Sequence, residues 1–393
     1  LAGNRIRGTN AERTTVTATG IPKTTGGWKE LARLKASDPD ISGIPDKRYY
    51  MVLGHHVQGS GNSGVGLQFN GDTTANHYPR RYQSLDATDA VPTTETNVFF
   101  DTNGSTVSGK EWFTVMYIAN EPTKEKLGIF DINYNRDGLG SQNSVNFQKG
   151  VFKWTNTTDS INRIKFSDFN GTAMNADSEV VVLGWDSDDT HSDNFWEELG
   201  SVSGDGTQYI DVGTFTAKKY LWVQMYLKPV GASNSMNLSF NGYGGSPYDG
   251  YAERLSYDGS VYGAGSKNQA YYSDGFGTQG ARLLNLFIIN TSGYEKLITS
   301  TGVYTDNASN SAGAVPRRMN HCGDTTKMAW GKAGSETLTS ADDEINVTVT
   351  PSIFNIGLVH WVANGTVDNT WKTGYTSADT GQNYAGRESV NGN

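Results

Sequence analysis

Cysteine is almost absent: Cys322 is the only one in 393 residues, so no intrachain disulfide can form and no multi-cysteine metal or redox motif exists. Charge is sparse as well, with 19% Asp, Glu, Lys and Arg against roughly 25% in an average soluble chain. Its balance is acidic, 32 basic against 41 acidic residues for a net −9, so no global positive field draws in nucleic acid or an anionic membrane. No window approaches the roughly 18 consecutive apolar residues of a membrane span, and the first residues carry no apolar leader core. Neither nucleic-acid binding nor membrane insertion is expected. Helical periodicity is nearly missing too. Trp28-Lys-Glu-Leu-Ala-Arg-Leu34 is the best helical stretch, and it is too short to be stable alone.

What the chain has instead is glycine and large rings. Its 47 glycines exceed the usual share of roughly 7%, and 9 Trp, 20 Tyr and 15 Phe supply apolar volume that a low-charge chain needs for a core. Strand-like runs recur between clusters of Gly, Asn, Asp and Ser: 48–54, 65–69, 112–119, 127–132, 151–155, 161–166 and 179–185 in the first half. In the second half they are 208–212, 219–227, 236–240, 283–289, 295–299, 345–349 and 356–362. The pattern predicts an all-β protein.

The chain also repeats itself. Trp28-Lys-Glu-Leu31 matches Trp196-Glu-Glu-Leu199, and Lys47-Arg-Tyr49 matches Lys218-Lys-Tyr220. Leu67-Gln-Phe-Asn-Gly71 matches Leu238-Ser-Phe-Asn-Gly242, Tyr117-Ile-Ala-Asn120 matches Phe287-Ile-Ile-Asn290, and Glu125-Lys-Leu127 matches Glu295-Lys-Leu297. Near the ends, Ile161-Asn162 aligns with Ile345-Asn346. A repeat this long is too large for a solenoid unit and fits a whole sandwich. The expectation is two tandem antiparallel β-sandwiches of jelly-roll character: an N-terminal arm at 1–27, a first sandwich at 28–186, an acidic linker at 187–195, a second sandwich at 196–365 and a C-terminal arm at 366–393. Both arms are too poor in apolar residues to pack a core, and such arms become ordered on a neighbouring subunit.

Leu67-Gln-Phe-Asn-Gly-Asp-Thr73 with Tyr78-Pro-Arg-Arg81, then Asp159-Ser-Ile-Asn-Arg-Ile164 and Glu179-Val-Val-Val-Leu-Gly-Trp185, resembles a family of β-sandwich virion structural proteins of marine tailed phages. The resemblance covers about 28–186 and implies a protein on the particle surface, either a head decoration or head fibre or a tail component. The partners it implies are other copies and other virion proteins. In the second half Phe240-Asn-Gly242 continues as Tyr-Gly instead of Asp-Thr.

Two clusters could bind something. Asp186, Asp188, Asp189 and Asp193, with His191 between, place oxygen ligands close enough in sequence for Ca²⁺, although the spacing is not that of an EF-hand and a solvated acidic linker is the favoured account. Tyr243, Tyr248, Tyr251, Tyr257, Tyr262, Tyr271 and Tyr272 sit among Gly and Ser in what reads as a recognition loop. Tyrosine offers a flat apolar face and a hydroxyl, which suits a host surface glycan or a subunit contact. His55 and His56 are adjacent on a strand and so point to opposite faces. No nucleophile elbow, metalloprotease or phosphate-loop motif is present. The expected function is therefore a non-enzymatic structural role, with a carbohydrate-binding adhesin as the alternative and a polysaccharide-degrading enzyme behind it.

Overall fold

The structure, a computed structural model, describes residues 27–59, 64–84, 87–100, 111–135, 145–168, 173–186, 189–203, 209–229, 234–240, 250–255, 261–267, 271–276, 282–291, 294, 296–304, 317–325, 344–350, 354–363 and 374–375. All regular elements among them are strands. The first half holds β1 (Lys29–Lys35), β2 (Asp40–Ser42), β3 (Tyr49–Val57), β4 (Val65–Phe69), β5 (Arg80–Ser84), β6 (Ala87–Ala90), β7 (Val98–Phe100), β8 (Glu111–Ala119), β9 (Lys126–Asn135), β10 (Val145–Trp154), β11 (Arg163–Asp168) and β12 (Glu179–Trp185). The second half holds β13 (Glu197–Ser203), β14 (Tyr209–Thr214), β15 (Tyr220–Pro229), β16 (Asn234–Phe240), β17 (Gly250–Leu255), β18 (Val261–Lys267), β19 (Tyr271–Phe276), β20 (Arg282–Ile289), β21 (Ile298–Tyr304), β22 (Arg317–Thr325), β23 (Glu344–Thr350), β24 (Phe354–Ala363) and β25 (Gly374–Tyr375).

The first twelve strands form an eight-stranded sheet, β1-β12-β3-β8-β9-β10-β5-β6, and a four-stranded sheet, β2-β11-β4-β7. Without β5, β6, β9 and β10, the remaining eight pair in the order of a jelly roll. Those four strands extend one sheet sideways. The second half gives β13-β24-β15-β20-β21-β22-β17-β18 and β14-β23-β16-β19, the same two orders with every strand number raised by twelve. Even a bulge is repeated: the register slips at Leu31 in β1 and at Leu199 in β13, the two leucines of the matched Trp-x-Glu-Leu segments.

The pairing settles one stretch and corrects one alignment. Trp28–Leu34, too short for a stable helix alone, runs into a strand, with Lys29–Lys35 paired along β12. Ile161 does not correspond to Ile345. Phe69 pairs with Ile164 and its counterpart Phe240 pairs with Ile345, so Ile164 is the equivalent residue.

Alternation decides where the core lies. Tyr50 and Val52, Trp112 and Met116, and Val180 and Val182 point from β3, β8 and β12 onto Leu67 and Phe69 of β4 and Ile164 and Phe166 of β11, which fills the first sandwich. Their neighbours Met51, Leu53, Phe113, Val115, Val181 and Leu183 face the other way. There they meet Phe195, Trp196, Tyr220, Phe287, Ile289 and Leu297 of the second half in a second buried core. Where these three strands carry those residues, the large sheet of the first half is therefore covered on both faces, once by its own small sheet and once by the second half.

Candidate functional site

The FNGDT segment turns out to be a structural clasp. Asn70 and Gly71 both have positive φ, 54° and 70°, as a tight hairpin-type turn requires, and the Asp72 amide closes the turn on the Phe69 carbonyl at 2.9 Å. Asn70 Oδ1 accepts from the backbone amides of Asn162 and Arg163, and its side-chain amide donates to the Ser160 carbonyl, tying β4 to β11. Asp72 accepts from Trp154 Nε1 at 2.7 Å and from the Thr74 amide at 2.9 Å, and shares a hydrogen with His77 at 2.6 Å. Burial opposes ionisation of this carboxyl, but those donors outweigh it and bring its pKa down to about 2. Arg163, beside Gly71, grips Asp40 with two bonds, at 2.7 and 2.5 Å. These motif residues hold strands together.

The acidic stretch is also occupied with structure. Asp186 Oδ1 accepts from the Arg48 amide, Asp189 Oδ2 accepts from the Asp186 amide, and Lys47 Nζ pairs with Asp189 and lies 3.6 Å from Asp186. Asp193 instead pairs with Lys29 at 2.8 Å. An ammonium thus stands beside the first two carboxylates, and the third is engaged elsewhere. Asp188 lies outside the described residues, and no group of three or more His, Cys, Asp or Glu among the described residues converges on a point. Phe195, at the end of the segment read as a linker, is buried in the core the halves share.

The tyrosine cluster is not one loop. Tyr251 is on β17, Tyr262 on β18, and Tyr271 and Tyr272 on β19, so they are divided between the large and small sheets of the second half. Tyr243, Tyr248 and Tyr257 lie outside the described residues. Gly and Ser hid these strands; β17 and β19 pair at long range with β22 and β16, and β18 only with β17. His55 and His56 do diverge: His55 Nε2 is 3.1 Å from Glu111, while His56 packs on Phe166. Both are fully buried, and desolvation holds both pKa values down, that of His56 to about 3.

Where the sequence singled out no site, the structure has a cleft of about 860 Å³ on the outer face of the large first sheet. It starts at Trp185, crosses Tyr49, Tyr117, Leu127 and Ile129, and ends at Val151 with Arg80, Arg81 and Lys153 beyond. Cross-strand pairing explains the row: Trp185 lies opposite Tyr49, Tyr117 opposite Ile129, and Ile129 opposite Val151. Leu127 is 57% exposed and Ile129 53%, while Tyr49 stacks on Trp185 at 5.6 Å between ring centroids. Among the described lining residues there is no carboxylate, histidine, serine or cysteine. Such a surface can bind an apolar or flat aromatic partner, with cations at one end. The signal available in the sequence was Leu127-Gly-Ile-Phe-Asp-Ile132, apolar on both strand faces where one covered face needs only alternate residues.

The cleft borders the contact between the halves, which is polar as well as apolar. Glu179 accepts at Oε1 from Arg33, from the Tyr220 hydroxyl and from Lys219, at 2.9, 2.9 and 3.0 Å. Desolvation would raise its pKa, but the Lys219 and Arg33 charges and the Tyr220 bond bring it below the ordinary value. Farther along, the Asn133 amide donates to the Ile298 carbonyl at 2.6 Å and Lys149 Nζ to the Ser300 carbonyl at 2.8 Å. No protein-family model matches the chain, and no curated protein matches it.

Proposed function

We propose that this chain is a non-enzymatic structural protein of a virion surface, made to associate with other copies of itself and with neighbouring virion proteins. The observation that carries the assembly reading is the exposed apolar cleft, continuous with a sheet face that the same chain already uses to bury its second half. Soluble monomers rarely leave a contiguous apolar face uncovered. The virion assignment draws on the resemblance of Leu67–Thr73, Tyr78–Arg81 and Asp159–Ile164, whose turn and clasp belong to a jelly roll, an architecture that capsid proteins share with lectin-type domains.

Immunogold labelling of purified phage particles tests it. Label on head or tail is the expected result and also separates a decoration from a tail component; unlabelled particles overturn the reading. The carbohydrate-binding alternative draws on one observation, the Tyr49 ring stacked on Trp185 and 39% exposed at the cleft edge. It requires saccharides to change Trp185 fluorescence, with the effect lost in Tyr49→Ala.

A further inference from the structure

One sheet face occurs twice in this chain and meets two fates. Pairing registers put Trp28 and Trp196 at one jelly-roll position, Tyr49 and Tyr220 at another, Tyr117 and Phe287 at a third, and Leu127 and Leu297 at a fourth. In the second half all four positions are buried in the core against the first half. In the first half all four line the open cleft.

The receiving positions are duplicated as well, with Gln224 where the first half has Leu53 and Asn285 where it has Val115. Phe113, opposite His55 in the ladder, receives Tyr220 with ring centroids 6.4 Å apart. Its counterpart is Leu283, opposite Tyr226 on β20, on the face that also carries Phe287 and Ile289. Leu283 is 47% exposed, and every other exposed large hydrophobic among the described residues is Tyr49, Leu127, Ile129, Val151 or Val91, all of them in the cleft. The chain therefore leaves uncovered a full copy of one side of a contact it makes internally and, from the other side, the exposed Leu283 next to the polar pair Gln224 and Asn285.

We propose that a second copy of this chain fills the cleft head to tail, its Leu283 face seated on the Tyr49–Leu127 face. The contact between chains repeats the contact between halves, with Leu283 meeting Tyr49 as Phe113 meets Tyr220. It is heterologous, since each bound pair still presents one free cleft and one free Leu283 face, and it propagates into a ring or a filament. This inference deepens the assembly reading above and rests on it.

Sedimentation and light scattering of the full chain from about 1 to 100 µM test it, alongside Leu127→Asp with Ile129→Asp and, separately, Leu283→Asp. The altered side chains are exposed, so unchanged circular dichroism and melting temperature certify the fold. The wild type is expected to form species larger than two chains as concentration rises, and each variant to associate at least about tenfold more weakly. A one-to-one mixture of the variants retains one working cleft and one working Leu283 face, and is expected to stop at two chains. A monomeric wild type, a mixture that stays monomeric, or a Leu283→Asp variant that associates as the wild type does would each overturn head-to-tail docking. Labelled particles with a monomeric chain would sink this inference and leave the virion reading standing; unlabelled particles with intact head-to-tail association would do the reverse.

Discussion

At the residue scale, the side chains with the most polar partners maintain turns. Asp72 shows the cost of that role. Its folded pKa of about 2 lies below the ordinary 3.8, so its contribution to stability is present above about pH 4 and is lost as pH falls towards 2. With one side open to solvent, the contribution is about 1–2 kcal/mol. Asp72→Asn is expected to lower stability by that amount at pH 7 and to flatten the acid limb of a urea-denaturation series between pH 4 and 2. Gly71 has a separate constraint. A Cβ there would adopt the same positive φ, 70°, and come 2.9 Å from Arg163 Nη1. Gly71→Ala is expected to cost about 1–3 kcal/mol, read from the urea midpoint; Asn70→Gly keeps the turn but takes the acceptor from the Asn162 and Arg163 amides, and is expected to cost about as much.

At the element scale, the repeat survives where it holds hairpins together. Asn120 donates from its backbone to the Arg48 carbonyl at 2.7 Å, and Asn290 to the Lys219 carbonyl at the same distance. Their side-chain amides reach the carbonyls of Lys47 and Lys218 at 3.1 and 3.0 Å. Lys126 and Lys296 bury their ammonium groups in the turn carbonyls that follow those asparagines. Thus the Ile-x-Asn and Glu-Lys-Leu matches visible in the sequence mark the β8–β9 and β20–β21 connections. Asn120 also accepts from the buried Ile161 amide at 2.7 Å, so Asn120→Ala leaves several groups unpaired and is expected to cost about 2–4 kcal/mol. Asn290→Ala is expected to cost less, and paired chemical-denaturation curves check the ordering. Strands with dense apolar content, such as β3, β8 and β12, were legible because both of their faces are buried. β5 and β17 were not, since their pairing is supplied by β10 and β22 from far along the chain, and β6 and β18 are edge strands that pair only with them.

At the scale of the whole molecule, the shared core makes the halves interdependent. Phe113→Ala removes the ring on which Tyr220 packs and is expected to cost about 3–5 kcal/mol. Calorimetry should show one transition for the wild type and, in that variant, a lowered or split one; two independent transitions in the wild type would contradict the coupling. Glu179 adds a pH dependence to the same contact. Its lowered pKa means that the contribution is fully present above the ordinary value of 4.5 and is lost as pH falls through the lower folded value. Acid should therefore loosen the halves, monitored through Trp196 fluorescence, and Glu179→Gln should remove that step.

The sequence by itself determined the all-β class, the repeat and its matched turns, because alternation, turn residues and self-similarity are local or directly comparable properties of the chain. It also located the Asn70–Asp72 turn, whose backbone angles only a few residue types adopt. Tertiary structure decided the rest. Whether the outer row of β3, β8 and β9 is covered depends on where a second sheet comes to lie, and the matched residues Leu127 and Leu297 look alike in sequence while one is exposed and the other buried. Burial is a property of neighbours brought together by long-range strand pairing. For that reason the motif residues proved to be structural, and the cleft had no motif of its own.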